Sequence, residues 1–184
     1  IDKDQLNHNY PTGIPDERDQ HPSFYLTKVI RNSKQISNWA KSFLCKNSAC
    51  QIEMGHDFEG EKHIVEPYAK GNQMAKLKEV FLSLLREGYS EGDIAILYGK
   101  EDCIPNRNDI CRQLNLPQVV DACENDCERV LVSTFRKYSG LERPLVILVN
   151  IAASLPNGSA PKASMYCAIT RAMIKVVSIE EIKG

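Results

Sequence analysis

The chain has 184 residues, 42% hydrophobic and 26% charged, ordinary values for one globular domain with a buried core, which exclude wholesale disorder. No apolar run approaches the roughly 18 residues of a membrane helix, and Ile1 to Gly13 lacks the basic-then-apolar character of a signal peptide. The net charge of −1 divides unevenly: from Val130 onward seven basic residues face three acidic ones, a net of +4, leaving a net of −5 over the first 129 residues.

Residues 1–22 are polar and punctuated by Pro11, Gly13, Pro15 and Pro22, the composition of a linker or surface arm. The folded unit is expected over 23–184. Phe24 to Ile30 has strand chemistry. Ile36, Trp39, Ala40, Phe43 and Leu44 then recur at helical spacing behind Asn32 or Ser33 as N-cap. Lys46 to Lys62 reads as a loop, and His63 to Ala69 as a strand interrupted by Pro67. Met74, Leu77, Val80, Phe81, Leu84 and Leu85 line one face of a helix that stops at Gly88. Asp93 to Tyr98, DIAILY, is a short apolar strand with a negligible polar face, as a central parallel strand has.

Asn106 to Leu114 fits a helix, Leu116 to Val120 a strand, Val130 to Thr134 a strand, and Leu145 to Asn150 another. A helix through Met165 to Ala172 leads to a last strand, Lys175 to Ile179. Strand and helix alternate along the chain. That predicts an α/β fold in three layers, a mostly parallel sheet with helices on both faces and a ligand edge at the carboxyl ends of the strands.

Seven cysteines, an odd number with no CxxC pair, read as free thiols in a reducing compartment, nuclear or cytoplasmic. The acidic loop with His56, Asp57 and Glu59, and the Cys123–Cys127 spacing, read as loop residues, and no metal site is expected. Trp39 fits a core position. Beginning at Ile1, the chain reads as a piece of something longer.

Several chemistries are missing. There is no GxxxxGK[ST] phosphate loop, GxGxxG, HExxH or GxSxG, so an autonomous ATPase is not expected. Three arginines stand at strand–helix junctions or loops: Arg31, Arg136 and Arg171. A guanidinium is a permanent charge with a planar fork of donors suited to phosphate, although a single surface arginine is more often merely solvated or ion-paired. Arg171 is flanked by Ala168, Ile169, Ala172 and Met173, which tie its backbone to the core, a placement suited to an arginine finger.

Longer stretches carry a resemblance. Ser133 to Val149, STFRKYSGLERPLVILV, resembles motif V of the UvrD/Rep-like superfamily 1 helicases, and Met165 to Ile179, MYCAITRAMIKVVSI, resembles their motif VI. Leu26 to Leu44 is similar to motif IV, and Asp93 to Lys100 to the strand between motifs IV and V. All four stand in family order. Arg136 and Ser139, where the family usually has histidine and lysine, bring the loop closer to the helicase-like region of Schlafen proteins.

The resemblance implies a second RecA-like lobe. Its ATP, with Mg2+, would be held mainly by a missing first lobe of the same protein. Arg31 and Arg171 would reach the γ-phosphate as catalytic arginines, Gly140 and Glu142 would face the nucleotide, and Ser133, Thr134, Arg136, Lys137 and Tyr138 would face single-stranded DNA or RNA. Tyr138 stands equally as a stacking platform and as core. The function expected is an ATP-dependent helicase or translocase. The alternative is a catalytically silent, helicase-derived module that binds nucleic acid or protein.

Overall fold

The alternating pattern is realised as a five-stranded, all-parallel sheet between two layers of helix. The structure, a computed structural model, describes residues 28–43, 53–55, 57–124, 126–151 and 160–182. The expected arm over 1–22 and most of the expected strand over 24–30 lie outside them. Among the described residues the strands are β1 (Lys28–Val29), β2 (Glu53–Met54), β3 (Ile64–Tyr68), β4 (Ile94–Tyr98), β5 (Leu131–Thr134), β6 (Arg143–Val149) and β7 (Ala172–Glu181). The helices are α1 (Lys34–Lys41), α2 (Gln73–Arg86), α3 (Arg107–Leu114) and α4 (Ala160–Ile169). The sheet order is β3-β7-β6-β4-β5, with β1 and β2 forming a separate parallel pair.

Strand β4 shows why three layers form. All five of its residues are buried, and successive side chains leave opposite faces of a sheet. Ile94, Ile96 and Tyr98 enter one core with Leu77, Val80, Phe81 and Leu84 of α2 and Ile110 and Leu114 of α3. Ala95 and Leu97 enter the other, with Ile36 and Ala40 of α1 and Met165, Ala168 and Ile169 of α4. Each fully buried aliphatic side chain contributes roughly 1.5–3 kcal/mol against exposure, so a strand apolar on both faces is stable only between two helical layers.

Helix boundaries follow local chemistry. The Ser33 hydroxyl accepts from the Ile36 amide at 3.4 Å and caps α1. Gly88, at φ +97°, takes the left-handed turn after α2.

Four expectations need correction. Leu116 to Val120 is not a strand: it makes one bridge, Val120 to Leu131, because Pro117 has no amide to donate and the chain leaves the sheet at Asp121. Pro67 does not interrupt β3, since that strand lies at the sheet edge, where one missing donor is tolerated. The loop expected over 46–62 contains β2. The last helix ends at Ile169, so Arg171 occupies the turn and Ala172 already starts β7.

Candidate functional site

Strands β5 and β6 are both parallel to β4, which lies between them. The chain therefore leaves β5 at the carboxyl edge of the sheet and must return to the amino edge before β6. Residues 135–142 make that passage in tight turns, with Tyr138 N donating to Thr134 O at 3.0 Å, Ser139 N to Arg136 O at 3.1 Å and Leu141 N to Tyr138 O at 3.1 Å. Gly140 sits at φ +88°, where an added Cβ would meet nothing within 4 Å among the described residues. Backbone conformation, not space, requires the glycine there. The ligand edge was expected at the carboxyl ends of the strands alone. The loop's two ends lie on opposite edges instead, as parallel strands demand.

At the amino edge, three segments distant in sequence converge. Asn32 donates its side-chain amide to Thr170 O at 2.9 Å and Ala172 O at 2.5 Å, and Ser33 N donates to Met173 O at 3.0 Å. These bonds pin the junction before α1 to the α4–β7 turn. Arg143 N donates to Arg171 O at 3.4 Å, which brings the start of β6 to the same turn. Arg31 Nη1 donates to Glu142 Oε2 at 3.0 Å, with side chains 52% and 38% exposed. Arg171 lies deeper, 5% exposed, and donates Nε to Cys167 O at 3.0 Å. Burial, joined by the nearby Arg31 charge, holds its guanidinium below the usual value, while the Cys167 and Glu142 charges act in the opposite direction. Arg31, Glu142 and Arg171 thus form one electrostatic group, with Gly140 exposed two residues before Glu142.

The carboxyl edge is less open than the sequence suggests. Ser133 and Thr134 are buried: the Ser133 hydroxyl donates to Asp121 Oδ1 at 2.6 Å, and Thr134 Oγ1 accepts from Lys137 N at 3.2 Å. Tyr138 is fully buried among Ala95, Leu97, Phe135 and Val146, so it is core and not a stacking platform. Its ring faces inward because the tight turn that Thr134 O closes at Tyr138 N rotates residue 138 back over the sheet. Arg136 and Lys137 do point outward, with Arg136 5.7 Å from the Phe135 ring centroid. Lys137 Nζ lies 3.0 Å from Glu101 Oε1 and 3.8 Å from Asp121 Oδ2. Arg107 reaches the same Asp121 oxygen at 3.2 Å and Glu124 at 3.0 Å.

Elsewhere, Asp57 and Glu59 pair with Lys34 at 2.6 and 3.0 Å, which ties that loop to the start of α1. His56 lies outside the described residues. Cys123 and Cys127 are exposed free thiols. Trp39 is partly buried, stacked on His63 with centroids 4.1 Å apart. No group of three or more His, Cys, Asp or Glu converges on a metal position among the described residues.

Sequence reasoning missed three side chains that organise these edges. Asp121 and Arg107 follow ordinary loop and helix-start residues, and only their position at a strand-end edge marks them. Arg143, 9% exposed, donates to Gly92 O, to Cys127 O at 3.1 Å and to Asp126 O at 2.6 Å. It anchors the start of β6, and so the backbone of Glu142, to two separate turns.

No protein-family model matches the chain. Among solved structures it is similar to the C-terminal domain of a possible DNA helicase from Lactobacillus plantarum WCFS1, at 16% identity, covering 82% of this chain and 86% of that one, with a TM-score of 0.58. At that identity the likeness speaks to architecture: this chain is an α/β domain of RecA-like fold, with a helicase C-terminal domain as a structural neighbour.

Proposed function

We propose that the chain is the second RecA-like lobe of an ATP-dependent superfamily 1 helicase or translocase, with the Schlafen-like variant of its motif V. The observation that carries this reading is the convergence of Arg31, Glu142 and Arg171 from three separate segments on one edge of the sheet. Two guanidiniums beside a carboxylate suit a nucleotide: permanent positive charge for phosphate oxygens and an acceptor for a ribose hydroxyl. These residues fit ATP as half of a site. The phosphate loop is absent from this sequence and would come, with the carboxylates for Mg2+, from a first lobe. ATP bound between the lobes would supply the phosphoryl group whose developing charge the arginines stabilise.

Within this chain, Glu142 holds Arg31 at the edge, and Arg143 fixes the start of the strand that Glu142 immediately precedes. Residues 135–142 join that edge to the outward-facing Arg136 and Lys137 at the opposite one. A displacement at Glu142 is transmitted along one short, tightly turned segment toward a bound single strand.

One observation favours a second reading, a nucleic-acid- or protein-binding lobe without turnover. Arg171 is 5% exposed, with Nε donating to Cys167 O of the preceding helix, so acting as a finger requires its Nη groups to reach a phosphate from a buried position. ATP turnover by the full-length protein in the presence of single strands, compared with its Arg171→Ala variant, separates the two. A loss on the order of 10³-fold is expected for a finger; unchanged turnover overturns the finger role of Arg171, and no turnover in either protein favours the silent module.

A further inference from the structure

Two cations at the carboxyl edge are held unlike ordinary surface charges. Arg107, the first residue of α3, comes from the connection after β4, and Lys137 from the loop after β5. Arg107 Nη2 and Lys137 Nζ lie 3.2 and 3.8 Å from the same oxygen, Asp121 Oδ2. Asp121 is itself fixed. Its other oxygen accepts from Ser133 Oγ and from Ala122 N, both at 2.6 Å, and its side chain is 17% exposed. Burial disfavours the Asp121 charge, but the Ser133 and Ala122 bonds and the two cations outweigh it and hold the carboxyl below its usual value.

The remaining partners are of another kind. Glu101 on Lys137 and Glu124 on Arg107 have side chains 62% and 43% exposed. Exposed ion pairs of this sort add little stability and are screened by salt. An incoming anion can replace them without disturbing the core, whereas Asp121 stays in place. Arginine retains donors beyond those it spends on Asp121, and so does lysine.

We propose that Arg107 and Lys137 form a clamp for a backbone phosphate of a single-stranded nucleic acid, held side by side by Asp121, with Glu101 and Glu124 as exchangeable counter-ions. Arg107 belongs to no motif recognised in the sequence, and the clamp extends the strand surface beyond residues 133–138. The inference rests on the strand-binding half of the proposed function. It adds that the surface is partly masked by its own carboxylates, so its affinity is set by a competition between glutamate and phosphate.

The test is titration of the full-length protein with fluorescent oligothymidylate and oligouridylate over a range of salt concentrations. Arg107→Gln is expected to weaken binding several-fold and to reduce the slope of log affinity against log salt by about 0.7, the contribution of one phosphate contact to a single strand. The Glu101→Gln/Glu124→Gln protein is expected to bind several-fold more tightly. That gain is a result no structural role of the ion pairs would give, and it does not depend on whether Arg107→Gln folds. Unchanged affinity and slope in the double glutamine protein, with Arg136→Ala still weakening binding, overturns the clamp alone. Failure of the unsubstituted protein to bind either oligonucleotide overturns the clamp together with the strand-binding reading.

Discussion

Arg31 and Glu142, 111 residues apart in sequence, meet at 3.0 Å on the amino edge of the sheet. Both side chains are substantially solvated, and exposed pairs contribute about 0–1 kcal/mol at most. The pair is therefore a poor explanation for stability. Arg31→Ala is expected to leave the melting temperature within about 2 °C, since ~0.5 kcal/mol shifts a domain of this size by little, while lowering ATP turnover of the full-length protein steeply. Glu142→Gln keeps the acceptor oxygen but loses the charge that orients Arg31, and is expected to raise KM for ATP more than it lowers kcat. A melting temperature that falls as far as activity would make the pair a structural fastening.

Tyr138 offers a contrast. It is fully buried, its hydroxyl has no hydrogen-bond partner of acceptable geometry among the described residues, and burial pushes its phenol far above the usual value, with the Arg143 charge pulling the other way. Removing an unpartnered buried hydroxyl costs little, so Tyr138→Phe is expected to change stability by less than about 0.5 kcal/mol and strand affinity not at all. Tyr138→Ala removes a large core ring and is expected to cost about 3–5 kcal/mol in chemical denaturation. Weaker strand binding in a stable Tyr138→Phe protein would return the residue to the interface.

Gly140 tests the turn itself. At φ +88° a side chain is strained even though space is open around it, so Gly140→Ala is expected to cost about 1–2 kcal/mol. Asn tolerates left-handed backbone better, and Gly140→Asn is expected to recover about half of that loss. Thermal melts of the two proteins decide it, because an Asn protein no more stable than the Ala protein would mean that left-handed backbone is not what sets the cost.

What the sequence made legible is what local pattern encodes. The run Ile94 to Tyr98 declares a central strand because burial on both faces leaves no charged position, and the spacing from Met74 to Leu85 declares a one-faced helix. Arg31 and Arg171 stood out as candidates by residue type and placement, but Glu142 and the grouping of the three were suggested only by likeness to helicase motifs, since no periodicity links residues that meet through the α4–β7 turn. Tyr138 was not legible, because a tyrosine flanked by Lys137 and Ser139 in a polar loop looks like surface until the turn direction is known. Arg107 and Asp121 were illegible for a related reason: their partners lie in other loops that only the sheet order β6-β4-β5 brings together.

Lys175 is the case where charge burial decides the prediction. Its side chain is 5% exposed on β7, between Glu61 at 2.8 Å and Glu87 at 2.5 Å, whose side chains are 44% and 40% exposed. Tyr89 donates its hydroxyl to Glu61 at 2.7 Å. The buried member of the group is the lysine, and the carboxylates can turn to water. Removing both carboxylates strands a positive charge in the core, whereas removing the lysine leaves two solvated anions. Glu61→Gln/Glu87→Gln is therefore expected to cost about 2–3 kcal/mol, less than a fully buried pair because solvent reaches the acids, and Lys175→Met about 1 kcal/mol or less.

The sign of the pH dependence follows from the same geometry. The Lys175 bond, then the Tyr89 bond, hold the Glu61 carboxyl below its usual value. Its contribution is complete above the unfolded carboxylate value and is lost as pH falls through the lower folded one. For Lys175, burial works against the charge but the two glutamates outweigh it and raise the folded value. Its contribution is complete below the unfolded lysine value and is lost as pH rises through the folded one. Stability against pH should thus fall at both extremes, and Lys175→Met should flatten both limbs while leaving the neutral plateau nearly unchanged. A Lys175→Met protein that loses more stability at neutral pH than the double glutamine protein would show that the ammonium group itself is what β7 requires.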